Sequence, residues 1–146
     1  MEKLIAKNEV SFEVPGVPIP KGRPKFRRAG GFVQAYTPAK TRNAEKEIVN
    51  CFKEQVKDFK MPEKGPVSLA IVFYMPIPKG TSKKQIQAIL EQNTVHIKKP
   101  DLDNLIKLVQ DALNEVAWVD DGCVFNINAA KCYGLEPKTC ISIAYL

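Results

Sequence analysis

One stretch constrains this chain more than any other: between Leu102 and Val116, the residues Leu102, Leu105, Ile106, Val109, Ala112, Leu113 and Val116 recur at intervals of three and four. That is the period of an α-helix with a single apolar stripe, and such a stripe must be buried against another layer. Candidate strands supply that layer. Val10, Phe12 and Val14 alternate with Ser11 and Glu13, the pattern of a half-buried strand; Phe32 to Tyr36, Pro66 to Met75, Val124 to Tyr133 and Thr139 to Leu146 read as further strands. Within Pro66 to Met75, Val67, Leu69, Ile71 and Phe73 fall on one side and Ala70 and Val72 on the other, which predicts a central position in the sheet.

Two more helices follow from the same reasoning. Ala44, Ile48, Val49, Phe52, Val56 and Phe59 mark an amphipathic helix over Ala39 to Phe59, entered through Thr37-Pro38, a capping hydroxyl followed by a residue preset for the first turn. Off that stripe, Arg42, Lys46, Lys53 and Lys57 form a second, basic face. Thr81-Ser82 can cap a short helix from Lys83 to Gln92, with Ile86, Ile89 and Leu90 on its apolar side, and Thr94 to Ile97 reads as a brief extended piece. The order strand, strand, helix, strand, helix, helix, strand, strand predicts an α+β fold, a small mixed β-sheet packed with helices. With 146 residues and 45% hydrophobic content, the chain can bury one core, so residues 1–146 are expected to form a single domain.

Charge points to the partner. Twenty-two Lys and Arg stand against 16 Asp and Glu, a formal net charge of +6, which favours an anionic partner and nucleic acid first. The cations are concentrated in Pro15 to Gly31, PGVPIPKGRPKFRRAGG, where prolines remove backbone donors and glycines permit tight turns, so an exposed loop or hairpin arm is expected. Lys21, Arg23, Lys25, Arg27 and Arg28 place five charges in eight residues, with Phe26 among them. On a proline-stiffened arm these cations can grip phosphates, and Phe26 can stack on an unpaired base.

Cys51, Cys123, Cys132 and Cys140 contain no CxxC pair, and His96 is the only histidine, which argues against zinc. Met1 to Asn8 is mostly polar and does not read as a signal peptide, so reduced thiols in a cytoplasmic protein are expected. No apolar run approaches the roughly 20 residues a bilayer span requires, so no membrane role is expected.

The chemistry falls at the start of the cleanest helix. Asp101 is well placed as its N-cap, Asp103 lies in its first turn, and two carboxylates there can offer oxygen ligands to a hard cation such as Mg²⁺. An acidic first turn that merely caps the helix would explain Asp101 but leaves Asp103, Lys107 and the Asp120-Asp121 pair without a role. Lys107 lies four residues after Asp103, on the same face, where it can form an ion pair or neutralise a phosphate. Lys98 and Lys99 add positive charge beside the carboxylates. Asp121 raises a problem of reach. A helix over 102–116 runs about 21 Å, and Val116 to Asp121 fully extended spans about 17 Å. It can return to Asp101 only if the helix ends early, or the site is completed another way, such as across a dimer.

The segment KKPDLDNLIKLVQDALNEVAWVDDGCV, Lys98 to Val124, resembles the signature of the RusA family of Holliday junction resolvases: Asp-hydrophobic-Asp-Asn, a lysine one turn on, Asp-Ala-Leu, an aromatic and an Asp-Asp pair. The upstream PIPKGRPKFRR and AYTPAKTR and the closing strand pair also look like forms common in phage-borne members, so the resemblance spans nearly the whole chain. By position it implies that Asp101, Asp103 and Asp121 are the essential, metal-binding carboxylates and Lys107 the helix lysine of the site. It further implies a homodimer that uses Mg²⁺, with Mn²⁺ able to substitute and no small-molecule cofactor, and that introduces paired nicks across a four-way DNA junction in recombination and repair. Two other readings remain open: a nucleic-acid-binding module without catalysis, and a nuclease for flaps, forks or structured RNA. Asp111 and Asn114, further along the helix, are expected to matter less than Asp103.

Overall fold

The computed structural model describes residues 8–146; the segment before Asn8, read above as mostly polar, lies outside the described residues. The elements in chain order are β1 (Asn8–Pro15), β2 (Lys25–Ala29), β3 (Phe32–Tyr36), α1 (Ala39–Gln55), β4 (Val67–Pro76), α2 (Lys83–Glu91), α3 (Leu102–Leu113), β5 (Val124–Gly134) and β6 (Lys138–Tyr145). Four strands form one sheet in the order β1-β6-β4-β5, and β2 pairs with β3 in a separate two-stranded ribbon. β6 runs antiparallel to both β1 and β4, while β4 and β5 are parallel, so the sheet is mixed. The fold is α+β, as the pattern of periods predicts, and no helix among the described residues is long and apolar enough to cross a membrane.

Alternation decides what the sheet buries. Val67, Leu69, Ile71, Phe73 and Met75 of β4 are all buried, as are Ile141, Ile143 and Tyr145 of β6 and Phe12 and Val14 of β1. They share the core with Ile48 and Phe52 of α1 and with Leu105, Leu108, Val109 and Leu113 of α3. Phe12 meets Phe52 edge-on with centroids 5.4 Å apart, a favourable arrangement of ring quadrupoles. β4 is central, but its second face is not buried in turn: Ala70 is exposed and Val72 and Tyr74 are half-buried, so the sheet is covered on one side.

Both long helices end earlier than their apolar periods predict. α1 stops at Gln55 rather than Phe59, and Asp58 adopts a positive φ of 56°. Phe59 nevertheless reaches the core, stacking edge-on to Phe52 at 4.9 Å. α3 stops at Leu113 rather than Val116, with Glu115 at a φ of 63°, and Ala117 and Trp118 are buried beyond the turn. Apolar spacing reports burial, and a chain that turns back onto the same core preserves the spacing after the helix has ended. α1 also lacks the expected hydroxyl cap: Pro38 itself occupies the N-cap position with extended backbone. α2 follows expectation, with Ser82 and Gln85 forming a reciprocal capping box.

Candidate active site and nucleic-acid arm

Asp101 sits at the N-cap position of α3, where an aspartate normally accepts a backbone amide of the first turn, but its side chain makes no such bond. The carboxylate instead accepts from the Lys99 ammonium at 2.8 Å, and this hydrogen bond, with the charge behind it, holds Asp101 below the ordinary carboxylate range. The capping role expected for its side chain is therefore absent. Asp101 and Asp103 are both exposed at the same helix end, and Lys98 and Lys99 are exposed just before them. Lys107 is also open, its side chain 62% accessible; its ion pair is with Asp111 at 4.0 Å rather than with Asp103.

A residue that periodicity did not single out fixes this loop. Lys131 lies on β5 opposite core-facing Phe73, and its ammonium donates to the carbonyls of Lys98 at 2.8 Å and Pro100 at 2.7 Å. Its only sequence signal is a lysine at an inward position of the strand alternation. Alongside it, His96 is 8% exposed with its ring edge-on to Tyr133. Burial, then the nearby Lys131 charge, lowers the His96 pKa.

Asp121 does not join this group. It belongs to a short 3-10 turn beyond the far end of α3, half-buried, with its carboxylate accepting from Trp118 Nε1 at 2.9 Å. The sheet register sets the scale of the separation: Val124, three residues after Asp121, pairs with Val67, whereas Lys131, bonded to the Asp101 loop, pairs with Phe73. Six residues along a strand amount to about 20 Å. Among the described residues no three carboxylate, thiol or imidazole groups are close enough to hold one metal ion. The helix ends early, as one of the two routes for Asp121 required, and Asp121 still stays remote.

The basic segment forms a defined ribbon. Lys25 to Ala29 pair with Phe32 to Tyr36, and Gly30 and Gly31 turn the chain at φ values of 58° and 86° that suit glycine. Arg23, Lys25, Arg27 and Arg28 are exposed, Arg27 lying over the Tyr36 ring at 5.3 Å. Phe26, Phe32 and Val33 are 70%, 75% and 68% accessible, an unusual display of apolar side chains on a basic arm. Phe32 and Val33 add to Phe26 as candidates for contact with bases. Lys21 is different: its ammonium is committed to two carboxylates, Glu45 at 2.6 Å and Asp111 at 3.0 Å. Its backbone amide donates to Asn104 in the first turn of α3, so the root of the arm touches the helix end that carries Asp101 and Asp103.

Comparison with known proteins matches most of the chain. A family model described as "Endodeoxyribonuclease RusA" matches residues 15–144. An uncharacterized protein, YqaN, from Bacillus subtilis (strain 168) is 32% identical over 143 residues, covering 92% of this chain and 94% of that relative.

Proposed function

The chain belongs to the RusA family of endodeoxyribonucleases, and on that premise we propose that it resolves four-way DNA junctions in the cytoplasm by Mg²⁺-dependent paired cleavage, serving recombination and repair as a homodimer. The observation that carries this reading is the start of α3. Asp101 stands at a cap position without capping, Asp103 lies exposed one half-turn on, and the root of a basic arm lies against the same turn.

The donor set suits a hard cation that takes one or two carboxylates and fills its remaining positions with water and phosphate oxygens. Bound between Asp101 and Asp103, Mg²⁺, or Mn²⁺ in its place, would supply an acidified water and a counter-charge for the phosphodiester oxygens. The chain's own groups do the rest. Lys98, Lys99 and the arm cations Arg23, Lys25, Arg27 and Arg28 hold the polyanion, while Phe26 offers a ring to bases left unpaired at a branch point. Lys107, open on the same helix, neutralises charge that builds on the cleaved phosphate.

Asp121 enters from the partner subunit in this reading. The roughly 20 Å strand-length separation keeps it from the Asp101 site of its own chain, whereas a two-fold pair can bring the far end of one α3 to the near end of the other. Trp118 holds one oxygen of Asp121 and leaves the second available.

The test uses end-labelled four-way junction and linear duplex, with and without Mg²⁺, for the parent and Asp103→Asn. Symmetric, metal-dependent nicks on the junction that vanish in the variant support the reading; tight binding by both proteins with no cleavage refutes it. Mixing Asp103→Asn with Asp121→Asn subunits checks the shared site. If each site draws on both subunits, the mixed dimer regains one intact site and nicks a single strand. If both carboxylates act within one chain, it remains inactive.

A further inference from the structure

The root of the basic arm is tied to both long helices at once. The Lys21 amide donates to the Asn104 carbonyl at 2.9 Å, and the Lys21 ammonium bridges Glu45 of α1 at 2.6 Å and Asp111 of α3 at 3.0 Å. The next residue adds a fourth tie, the Gly22 amide donating to Thr41 Oγ1 at 3.1 Å, with Thr41 only 2% exposed. The three charged side chains are 21%, 24% and 30% accessible, so they are partly shielded from water and salt. Burial of the ammonium opposes its charge, but the two carboxylates outweigh that cost and hold the Lys21 pKa above the ordinary lysine range. A side chain at 22 would disturb this tie, since an added Cβ would lie 2.7 Å from Thr41 Oγ1 and 3.4 Å from Pro38 Cγ, so the Thr41 hydroxyl that accepts from the Gly22 amide would have to shift.

Beyond this joint the chain leaves the body of the protein: every residue from Arg23 to Arg28 is exposed, as is every residue of the return strand β3, and exposure falls again at Thr37 and Pro38 before α1. The direction in which the arm leaves is therefore set at its root. That root is bonded to the turn of α3 that carries Asp103.

We propose that Lys21, Glu45 and Asp111 form a joint that fixes the bearing of the DNA-holding arm relative to the carboxylates at the start of α3. Lys21 is then a positioning residue rather than a phosphate contact, and Glu45 and Asp111 are its seat. This rests on the reading that the arm holds DNA and that the start of α3 cuts it. Arm and carboxylates must present the same phosphate in register, and small misplacements of a reacting group cost large factors in rate.

The experiment compares Lys21→Met, Asp111→Asn, Gly22→Ala and Lys21→Arg with the parent. It measures single-turnover cleavage at saturating protein, junction affinity as a function of salt, and melting temperature. The joint predicts a rate reduced by about tenfold to a hundredfold in the first three, with affinity within about threefold and an unchanged salt slope. Lys21→Arg, which keeps a cation between the carboxylates, restores most of the rate. A direct phosphate contact predicts the reverse pattern: Lys21→Met lowers the salt slope by about one, and Asp111→Asn, by freeing the lysine, tightens binding. That pattern overturns the proposal. So does a rate within twofold of the parent in all variants, or a loss that follows the unfolded fraction and is absent where the variant is fully folded. A readout without DNA separates this idea from the function it rests on. A tryptophan placed at the tip by Phe32→Trp, read against the parent's only tryptophan, buried Trp118, reports arm mobility by anisotropy. If the parent cuts no branched DNA but Lys21→Met and Gly22→Ala loosen the tip, the joint stands and the proposed activity fails. An unchanged tip in both variants overturns the joint whatever the DNA result.

Discussion

Replacing Lys131 by methionine keeps an unbranched aliphatic side chain and removes the ammonium. Two charge-assisted hydrogen bonds are lost, to the carbonyls of Lys98 at 2.8 Å and Pro100 at 2.7 Å. Bonds of this type contribute roughly 1.5–3 kcal/mol each when shielded, and partial exposure at this edge strand, with water able to solvate the freed carbonyls, brings them to about 1 kcal/mol each. A loss of about 2 kcal/mol corresponds to a melting point lower by about 6 °C in a chain of this size. The same ammonium contributes, after burial, to the lowered pKa of His96. The variant should therefore raise the His96 pKa part of the way back, leaving the burial contribution in place. His96 is the only histidine, so a single imidazole resonance followed by proton NMR reads the shift directly. Junction cleavage should fall by more than the small unfolded fraction accounts for, because the Pro100 carbonyl immediately precedes Asp101. A variant that melts within about 1 °C of the parent, or whose His96 titrates unchanged, would refute the assignment of Lys131 as the anchor of this loop.

The parent should lose stability as pH falls below about 6.5. Because the folded pKa of His96 is lowered, the unfolded chain takes the proton first, so the stability is present above the ordinary histidine value and lost as pH falls through the folded one. Urea midpoints at pH 7.5 and 5.5 should differ in the parent and differ less in His96→Gln. Burial raises the thiols of Cys51, Cys132 and Cys140 alike, that of Cys51 to about 11, so access decides among them: Cys51 and Cys123 are buried, while Cys132 and Cys140 are half-buried. A maleimide at neutral pH should thus label Cys132 and Cys140 first under native conditions and all four thiols only after denaturation, as mass spectrometry would show. Leu105 is fully buried between α3 and the sheet, so Leu105→Ala should cost about 2–5 kcal/mol by denaturant titration.

The fold was legible wherever burial and local periodicity carry the same information. α3, β4 and β6 are such elements: their inward positions are apolar apart from Thr139 on β6. Legibility failed at Phe59 and Val116, where chain reversals at Asp58 and Glu115 return apolar side chains to the core in helical register without a helix. From Arg23 onward the arm was legible as an exposed, basic segment because prolines, glycines and charge are local signals. The part of the stretch just before it, also read as exposed, is not: Pro18 is buried and Ile19 to Gly22 are half-buried against the body. The fastening of the arm was not legible, because Lys21 finds Glu45 and Asp111 only after α1 and α3 have packed together. Read along the chain, Lys21 is one more cation in a run of five; packed, it is the one whose charge is spoken for. Lys131 was hidden for the related reason that its partners are backbone carbonyls, which every residue possesses.

The division of carboxylates between the two ends of α3 has a consequence for the proposed reaction. If Asp101 and Asp103 met Asp121 within one chain, each protomer would be a complete nuclease, able to nick DNA wherever the basic arm lodged. With Asp121 about a strand's length away, a site that needs all three carboxylates would, in the proposed dimer, form only where two copies meet. The two-fold axis that assembles one such site necessarily assembles a second. In the proposed dimer the spacing and orientation of the cuts would be set by the protein pair rather than by the DNA sequence, which suits a substrate whose own strands are related by a two-fold axis. The joint at Lys21 extends the same logic to the arms: a pair of sites held in fixed relation is useful only if the phosphates are delivered in fixed relation too.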